Sequence, residues 1–320
     1  MHSTSSRRRG ALLALLVATL AAAFLTGPSG AQAAPVTPDV FMRDNPGDTG
    51  AEPGAGDIWQ SPDIVICATP SKCLADVVIT PGQTYYIFVT AYKNGQGDVP
   101  GVLRLYHTKA GGNVSWPSGW QEIGAHGTTI TASTHTFMFQ WTVPSDWRHY
   151  CLLARWESTA DPMTFAEGPS TEDNTRSNNN IVWHNVVTAG TTANGNVLAD
   201  FMVGNPFGGA AQVGLAVTPA GEPFVGPGRV VVDLGATLFE RWRAGGGQAV
   251  GVRQVGTTQF QVVDPKLARF SGLQLRGGER LPVQLVFTGA AEASGKPVNV
   301  FQTDAQGVDR GGVQYRLTFR

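Results

Sequence analysis

The stretch His135-Thr-Phe-Met-Phe-Gln-Trp-Thr-Val143 places large apolar and polar side chains at alternating positions. A repeat of two residues is the period of a β-strand that has one face in an apolar core and the other in water. The pattern therefore predicts a half-buried strand and a protein built on sheets. One side of this strand carries Phe137, Phe139, Trp141 and Val143, and the other carries Thr136, Gln140 and Thr142.

Similar runs, rich in β-branched and aromatic residues, lie before and after this stretch. Thr84–Tyr92 and Val102–His107 are separated by the turn-rich connector Lys93–Asp98, and Ile181–Thr188 is a further strand candidate. No stretch keeps a helical stripe of apolar residues over three turns. The sequence therefore predicts an all-β protein.

The second half of the chain repeats this organisation. Ala189–Gly195 is small and polar, as in an interdomain linker or a turn into the next strand. Leu273–Glu279 leading into Leu281–Phe287 has the pattern strand, tight turn, strand. Because many short strands separated by turns are typical of a sandwich, we predict two immunoglobulin-like β-sandwich domains, at 35–189 and 190–320. The strand-like runs after the linker are Val197–Val203, Gln212–Thr218, Arg229–Leu234, Gln248–Val255, Gln259–Val263, Leu281–Phe287, Val298–Thr303 and Val313–Phe319.

Composition limits the classes of function. The chain has 40 Gly and 20 Pro, and only 15% of it is charged, against roughly 25% in average soluble proteins. Its 23 Lys and Arg against 24 Asp and Glu give a net charge of −1. A nucleic-acid-binding protein is expected to show a basic face, so the sequence argues against nucleic acid as a partner.

Residues 1–34 have the three parts of a secretory signal peptide. Three arginines, Arg7 to Arg9, precede the apolar run Ala11–Leu25, and Ala31-Gln32-Ala33 offers a cleavage site before a mature chain that starts near Pro35. The apolar run is shorter than the roughly 20 residues that span a bilayer. We therefore predict a secreted protein with no membrane span in the mature chain.

Three cysteines follow the predicted signal, in a compartment where disulfides persist. Cys67 and Cys73 bracket a turn-like loop, so we predict a disulfide between them. Cys151 lies in an apolar strand-like run, where a cysteine usually acts as a small buried apolar residue. The alternative is a catalytic thiol paired with a neighbour such as His149.

The first half of the chain also resembles a known family through an ordered set of short blocks. The blocks are Arg43–Gly50, Ser61–Ile64, Leu105–His107, Trp116-Pro117 with Trp120, Trp141–Pro144, Cys151–Arg155 and Asn178–Ile181. Their order is similar to that of bacterial extracellular immunoglobulin-like modules of the cell-adhesion-related (CARDB-like) type, which occur alone or attached to secreted hydrolases. The resemblance covers about half the chain and implies a non-catalytic role in binding, adhesion or scaffolding.

Three tryptophans are the candidate ligand-contacting residues. Trp116 and Trp120 share a short Pro/Gly loop, and Trp147 lies in the segment Ser145–Arg148. Flat aromatic rings on a rigid loop can stack against a sugar face or a proline-rich peptide. Alternatively, such rings fold back over the edge of the core, because large exposed apolar patches are scarce.

Other polar groups predict no catalytic, cofactor or metal site. The loop from Asp161 to Asn180 holds many oxygen donors of the kind that Ca²⁺ prefers, but Asp and Asn also cap turns and their spacing matches no EF-hand. The histidines show no close zinc spacing, and the chain lacks a Gly-x-Ser-x-Gly elbow and a P-loop. The histidines after the signal are His107, His126, His135, His149 and His184.

We therefore predict a non-catalytic binding or adhesion module, not an enzyme, whose loops contact an extracellular protein or a polysaccharide. Two alternatives belong to other classes. One is a secreted hydrolase, or an accessory subunit of one, with a site between the two domains. The other is a structural subunit of an extracellular assembly that polymerises through its sheet edges.

Overall fold

The computed structural model describes residues 37–186 and 196–319. These residues belong to a single compact unit. The predicted signal peptide of residues 1–34 and the predicted linker Ala189–Gly195 lie outside the described residues, so both stay predictions. The described part of the chain contains no helix that is long and apolar enough to cross a membrane.

The strands before residue 186 form two antiparallel sheets, which we call the first sandwich. One sheet has the order β1-β3-β2, with β6 also paired to β3, and the other has the order β5-β4-β7-β8. A short helix of about two turns, α1, lies between β7 and β8. The elements are β1 Asp39–Phe41, β2 Ile64–Cys67, β3 Thr84–Asn94, β4 Val99–Lys109, β5 Gln121–Ile130, β6 Thr134–Thr142, β7 Tyr150–Glu157, α1 Thr171–Ser177 and β8 Ile181–Asn185.

The strands after residue 196 form two further antiparallel sheets, the second sandwich. Their orders are β12-β15-β10-β17-β18 and β13-β14-β11-β16-β9. The elements are β9 Asn196–Gly204, β10 Ala211–Pro219, β11 Gly228–Asp233, α2 Gly235–Ala244, β12 Gln248–Val250, β13 Val252–Gln254, β14 Gln259–Val262, β15 Arg269–Leu275, β16 Arg280–Gly289, β17 Val298–Asp304 and β18 Asp309–Tyr315, with a 3₁₀ turn at Ala291–Ala293.

The predicted all-β class is confirmed, and β6 shows its physical basis. Phe137, Phe139 and Trp141 are buried, while the residues between them are exposed. The buried face lies in a core shared with residues such as Leu105 and Trp156 of the facing sheet. The alternating stretch therefore folds as a half-buried strand because one face closes on the opposite sheet.

One predicted strand needs correction. The predicted strand Gln248–Val255 is broken at Gly251, whose φ is +70° and whose backbone lies against Ala268; β12 pairs with β15, whereas β13 pairs with β14 in the other sheet. The predicted strand, turn and strand of Leu273–Phe287 are present as β15 and β16, which belong to different sheets. Helices α1 and α2 were not predicted.

The two sandwiches share buried contacts. Trp59 and Trp183 of the first sandwich belong to the same apolar cluster as the core of the second. Backbone hydrogen bonds cross the junction as well, from Gly112 N to Met202 O at 3.0 Å and from Asn113 N to Arg310 O at 2.6 Å. The domain boundary near residue 189 stays a prediction.

Candidate functional site

Trp120 is part of the core. Its side chain is 7% exposed, and its ring packs edge to face on Trp183 at a centroid distance of 5.9 Å. The indole N–H donates to Thr171 Oγ1 at 2.8 Å. A ring held in this way has no free face for a ligand, so the placement matches the core-capping alternative.

Trp116 is partly buried, and the charged group of an arginine lies over its ring. The guanidinium of Arg155 lies 5.6 Å from the ring centroid, and Tyr106 packs against the ring edge at 5.3 Å. The backbone N–H of Trp116 donates to Pro169 O, which fixes the loop. Arg155 is in turn paired with Glu167. The indole thus joins a local cation–π cluster on the first sandwich.

Trp147 has a similar but separate environment. Its ring packs against the core of the first sandwich, and the ammonium of Lys109 lies 4.8 Å from the ring centroid. Lys109 also forms an ion pair with Asp146 at 2.9 Å. Of the three tryptophans, Trp116 and Trp120 pack against the shared apolar cluster and Trp147 against the other core. All three rings pack against apolar residues, and their role in ligand binding stays a prediction.

The cysteines serve packing and cross-linking. Cys67 and Cys73 form the predicted disulfide at the end of β2. Cys151 is free and buried, and burial raises the pKa of its thiol to about 11, so the thiol stays protonated at neutral pH. His149 lies 2.7 Å from Asn185 Oδ1, and burial lowers the pKa of its imidazole to about 4. This arrangement is that of a buried neutral histidine.

The oxygen-rich loop around α1 is neutralised by the protein itself. Glu172 accepts from Arg176 and Arg310, and Asp161 accepts from Val40 N and Asn180 Nδ2. Within residues 37–186 and 196–319, no group of three or more His, Cys, Asp or Glu side chains could hold a metal ion. Glu172 therefore links α1 to Arg310 of the second sandwich, and Asp161 links its loop to β1 and to Asn180.

A cavity of about 560 Å³ forms a groove on the outer face of the sheet β12-β15-β10-β17-β18. Strand β10 contributes Val213, Leu215 and Val217 to the core, which leaves the small residues Gly214 and Ala216 as the floor of the groove on the outer face. Ala216 lies directly opposite Phe301 of β17, and Gly214 lies opposite Thr303.

Two turns form the walls of this groove. The turn Gly245–Gly247 after α2 lies against β15. A Cβ atom at Gly272 of β15 would come 3.2 Å from Gly247 Cα, and Gly272 has a φ of +80°. The turn after β17 is held by Asp304 Oδ1, which accepts from Gln306 N and Val308 N at 2.9 Å each. The first wall is therefore fixed by close backbone packing, and the second by hydrogen bonds from backbone N–H groups to a side chain.

The face between these walls combines uncharged polar side chains with apolar ones. Phe301 adds one partly exposed aromatic ring, and Lys266 and Arg269 lie at the rim. Burial alone would raise the pKa of Asp304, but hydrogen bonds from Val308 N and Arg310 outweigh it and lower that pKa, so the carboxylate stays ionised. The amide and hydroxyl side chains in the lining are Gln212, Thr218, Gln248, Ser271, Thr303 and Gln306.

Sequence reasoning missed this groove, although a signal was present. The segment Gln212–Thr218 is predicted only as a strand-like run. One side of it reads Gln212, Gly214, Ala216 and Thr218, a row of small and polar residues that marks a depression in a solvated sheet face. The contributions of β15 and β17 come from distant parts of the chain and need the fold.

Comparisons with known proteins identify no family. No protein-family model and no curated protein matches the chain. Three similar solved structures have identities near 10%. They are red sea bream transglutaminase (10% identity, 75% of this chain and 29% of that chain, TM-score 0.21), Escherichia coli alpha-2-macroglobulin activated by porcine elastase (9%, 81% and 22%, TM-score 0.23) and a serine-rich repeat adhesion glycoprotein from Streptococcus agalactiae (10%, 79% and 94%, TM-score 0.23).

The chain spans less than a third of the length of the first two of these proteins. The TM-scores of 0.21 to 0.23 are too low for the neighbours' activities to bear on this chain. The resemblance of residues 35–189 to CARDB-like modules therefore stays a prediction.

Proposed function

We propose that this chain is a secreted, non-catalytic binding module whose ligand site is the groove on the second sandwich. The observation that carries the proposal is the shape and lining of that groove. A cavity of about 560 Å³ is walled by two fixed turns and has a floor of Gly214 and Ala216. Cavities of this size are typical of ligand sites.

The lining favours a neutral polysaccharide over other extracellular ligands. Amide and hydroxyl side chains can both donate to and accept from sugar hydroxyls. Phe301 offers an apolar ring to the C–H face of a sugar. The groove reaches from β15 across β10 to β17, which suits an extended chain better than a compact metabolite. A protein partner would be expected to need a larger contact.

A binding role is further supported by the state of the ionisable groups. The carboxylate of Asp304 is bound to Arg310 and to the backbone of its own turn. A general acid must hold a proton near neutral pH, and the lowered pKa of Asp304 opposes this. The buried thiol of Cys151 lies in the core and does not line the groove.

Affinity gel electrophoresis on soluble neutral polysaccharides tests the proposal. Ala216→Trp would fill the groove floor beside Phe301, so retardation of the wild-type chain by cellulose, xylan or mannan derivatives should be lost in this variant. Ala125→Trp is the matched control, because Ala125 is exposed on β5 of the first sandwich.

If Ala216→Trp fails to fold, Phe301→Ala replaces it, since Phe301 is only partly buried. We expect this variant to lose at least tenfold in affinity. Equal retardation of the wild-type chain and both groove variants, or no retardation of the wild-type chain by any of the polysaccharides, would contradict the proposal.

A further inference from the structure

A second cavity, of about 170 Å³, lies where the two sandwiches meet. Arg280, the first residue of β16, reaches into it from the second sandwich. The first sandwich supplies His107 and Lys109 from β4, together with Asp146 and Tyr150 near the start of β7. The cavity is separate from the groove, with which it shares none of its lining residues.

Arg280 is held by neutral acceptors only. Its Nη1 donates to Thr108 Oγ1 at 3.1 Å and its Nη2 donates to Lys109 O at 2.9 Å. The Thr108 hydroxyl donates its own proton to Gly119 O at 2.7 Å. No carboxylate in the described part of the chain forms an ion pair with Arg280. Fixed by two hydrogen bonds, the guanidinium is oriented without being neutralised.

The guanidinium of Arg280 also has unused donors. Arginine has five N–H groups, and two of them are engaged here. The Nε atom is buried and has no hydrogen-bond partner among residues 37–186 and 196–319. Burial lowers the pKa of Arg280 to about 10, which still leaves it charged at neutral pH. Buried charges in proteins are normally paired, so this arginine lacks a counter-ion.

The remaining charges around the cavity cancel. Lys109 Nζ forms an ion pair with Asp146 at 2.9 Å, and the same carboxylate accepts from the Tyr150 hydroxyl at 2.9 Å. Burial lowers the pKa of His107, so its imidazole is neutral, and its buried Nδ1 has no hydrogen-bond partner in the described ranges. The lining therefore carries one uncompensated positive charge, that of Arg280.

We propose that this cavity binds a carboxylate group, which pairs with the free N–H groups of Arg280. A carboxylate carries the single negative charge that neutralises the lining, whereas a dianion would leave an excess. Its two oxygens also match the planar fork of a guanidinium. The volume suits a small free acid or the carboxylate of one acidic sugar residue. The ligand would bridge the two sandwiches, since its partners come from both.

Isothermal titration calorimetry of the full chain, at constant ionic strength in chloride buffer, tests this proposal. The probes are sodium acetate, a small free carboxylate, and trigalacturonate, in which the carboxylate is carried by a saccharide. The variant is Arg280→Gln, and the matched control is Arg148→Gln, which removes the same charge from an exposed ion pair with Asp200. We expect saturable binding of at least one probe, at least tenfold weaker in Arg280→Gln and unchanged in Arg148→Gln.

The tighter of the two probes identifies the source of the carboxylate. Nitrogen NMR of the wild-type chain gives a second test that needs no variant: the Arg280 Nε–H signal should shift as the probe saturates. Lack of saturable binding by either probe, equal affinity in Arg280→Gln, or an unmoved Nε–H signal at saturation would overturn the proposal. Because the two cavities share no residues, loss of polysaccharide binding in the groove would leave this result unaffected.

Discussion

Arg310 of β18 places its Nη1 2.6 Å from Oε2 of Glu172, a carboxylate in α1 that is only 1% exposed. The ion pair joins the first sandwich to the second. Arg310 also pairs with Asp173 at 2.7 Å and with Asp304, the residue that fixes one wall of the groove, at 2.9 Å. The junction and the groove wall therefore depend on the same guanidinium.

Arg310→Gln should destabilise the protein by about 3 kcal/mol at pH 7, because it leaves a buried carboxylate with one partner fewer. Burial already raises the pKa of Glu172, and Arg310 opposes that rise. In the variant the pKa should rise further, and the penalty should be smaller at pH 4 than at pH 7, since a protonated carboxyl needs no counter-ion.

Urea unfolding at the two pH values measures this effect, with the exposed Arg253→Gln as control, for which we expect a change within about 0.5 kcal/mol. An Arg310→Gln penalty equal to that of the control at pH 7 would show that the junction does not need this ion pair.

Trp120→Ala should cost about 4 kcal/mol of unfolding free energy, since it empties a site in the core and leaves Thr171 without its indole donor. Trp116→Ala should cost less, because its ring is partly exposed. If the groove is the ligand site, Trp116→Ala should also keep its affinity for the polysaccharide. Denaturant titration and affinity electrophoresis measure the two quantities. Loss of binding in a folded Trp116→Ala variant would move the site to the first sandwich.

His149 should make stability depend on pH. Its folded pKa of about 4 lies below the usual value, so the unfolded chain binds the proton more readily. The contribution of neutral His149 to the free energy of unfolding is full above pH 6.5. It falls by about 3 kcal/mol as the pH drops towards 4. The difference in unfolding free energy between the wild-type chain and His149→Gln should therefore shift by about 3 kcal/mol against the wild-type chain between pH 7 and pH 4. Unfolding curves for these two and for the exposed His126→Gln measure it. A pH-independent difference would show that His149 is not buried as a neutral group.

The disulfide should contribute modestly to stability. Cys67 and Cys73 are six residues apart, and a cross-link closing so short a loop removes about 2 kcal/mol of chain entropy from the unfolded state. The double variant Cys67→Ser, Cys73→Ser should lose about that amount, as should the wild-type chain in reducing agent. Calorimetry with and without reductant compares them. If reducing agent also destabilises the double variant, the effect of the reductant comes from a group other than this disulfide.

Strand alternation predicted much of the fold because the core itself imposes it. Phe137, Phe139 and Trp141 are buried at every second position, and such a pattern is visible in one sequence. Helix α1 was missed because it is only seven residues long and is stabilised by the Ser170 cap and by Arg310 from a distant strand. The break at Gly251 was missed because the need for a positive φ arises only when β14 and β15 are in place.

The candidate site could not be predicted for a related reason. A loop with Trp116 and Trp120 stands out in the sequence, yet their rings are used for packing. The row of small residues that includes Gly214 and Ala216 is visible in the sequence, but it forms a groove floor only because of what β15 and β17 place on either side. Small residues indicate a site only once the surrounding walls are known.

Amide hydrogen exchange, with and without saturating neutral oligosaccharide, tests the central claim most directly. The probes are cellohexaose, xylohexaose and mannohexaose, each compared with the free wild-type chain. The account predicts that a binding oligosaccharide slows exchange in residues 212–218 and 299–307, which form the floor and one wall of the groove. Protection confined to residues 116–120 and 145–148, or no protection by any of the three, would contradict it.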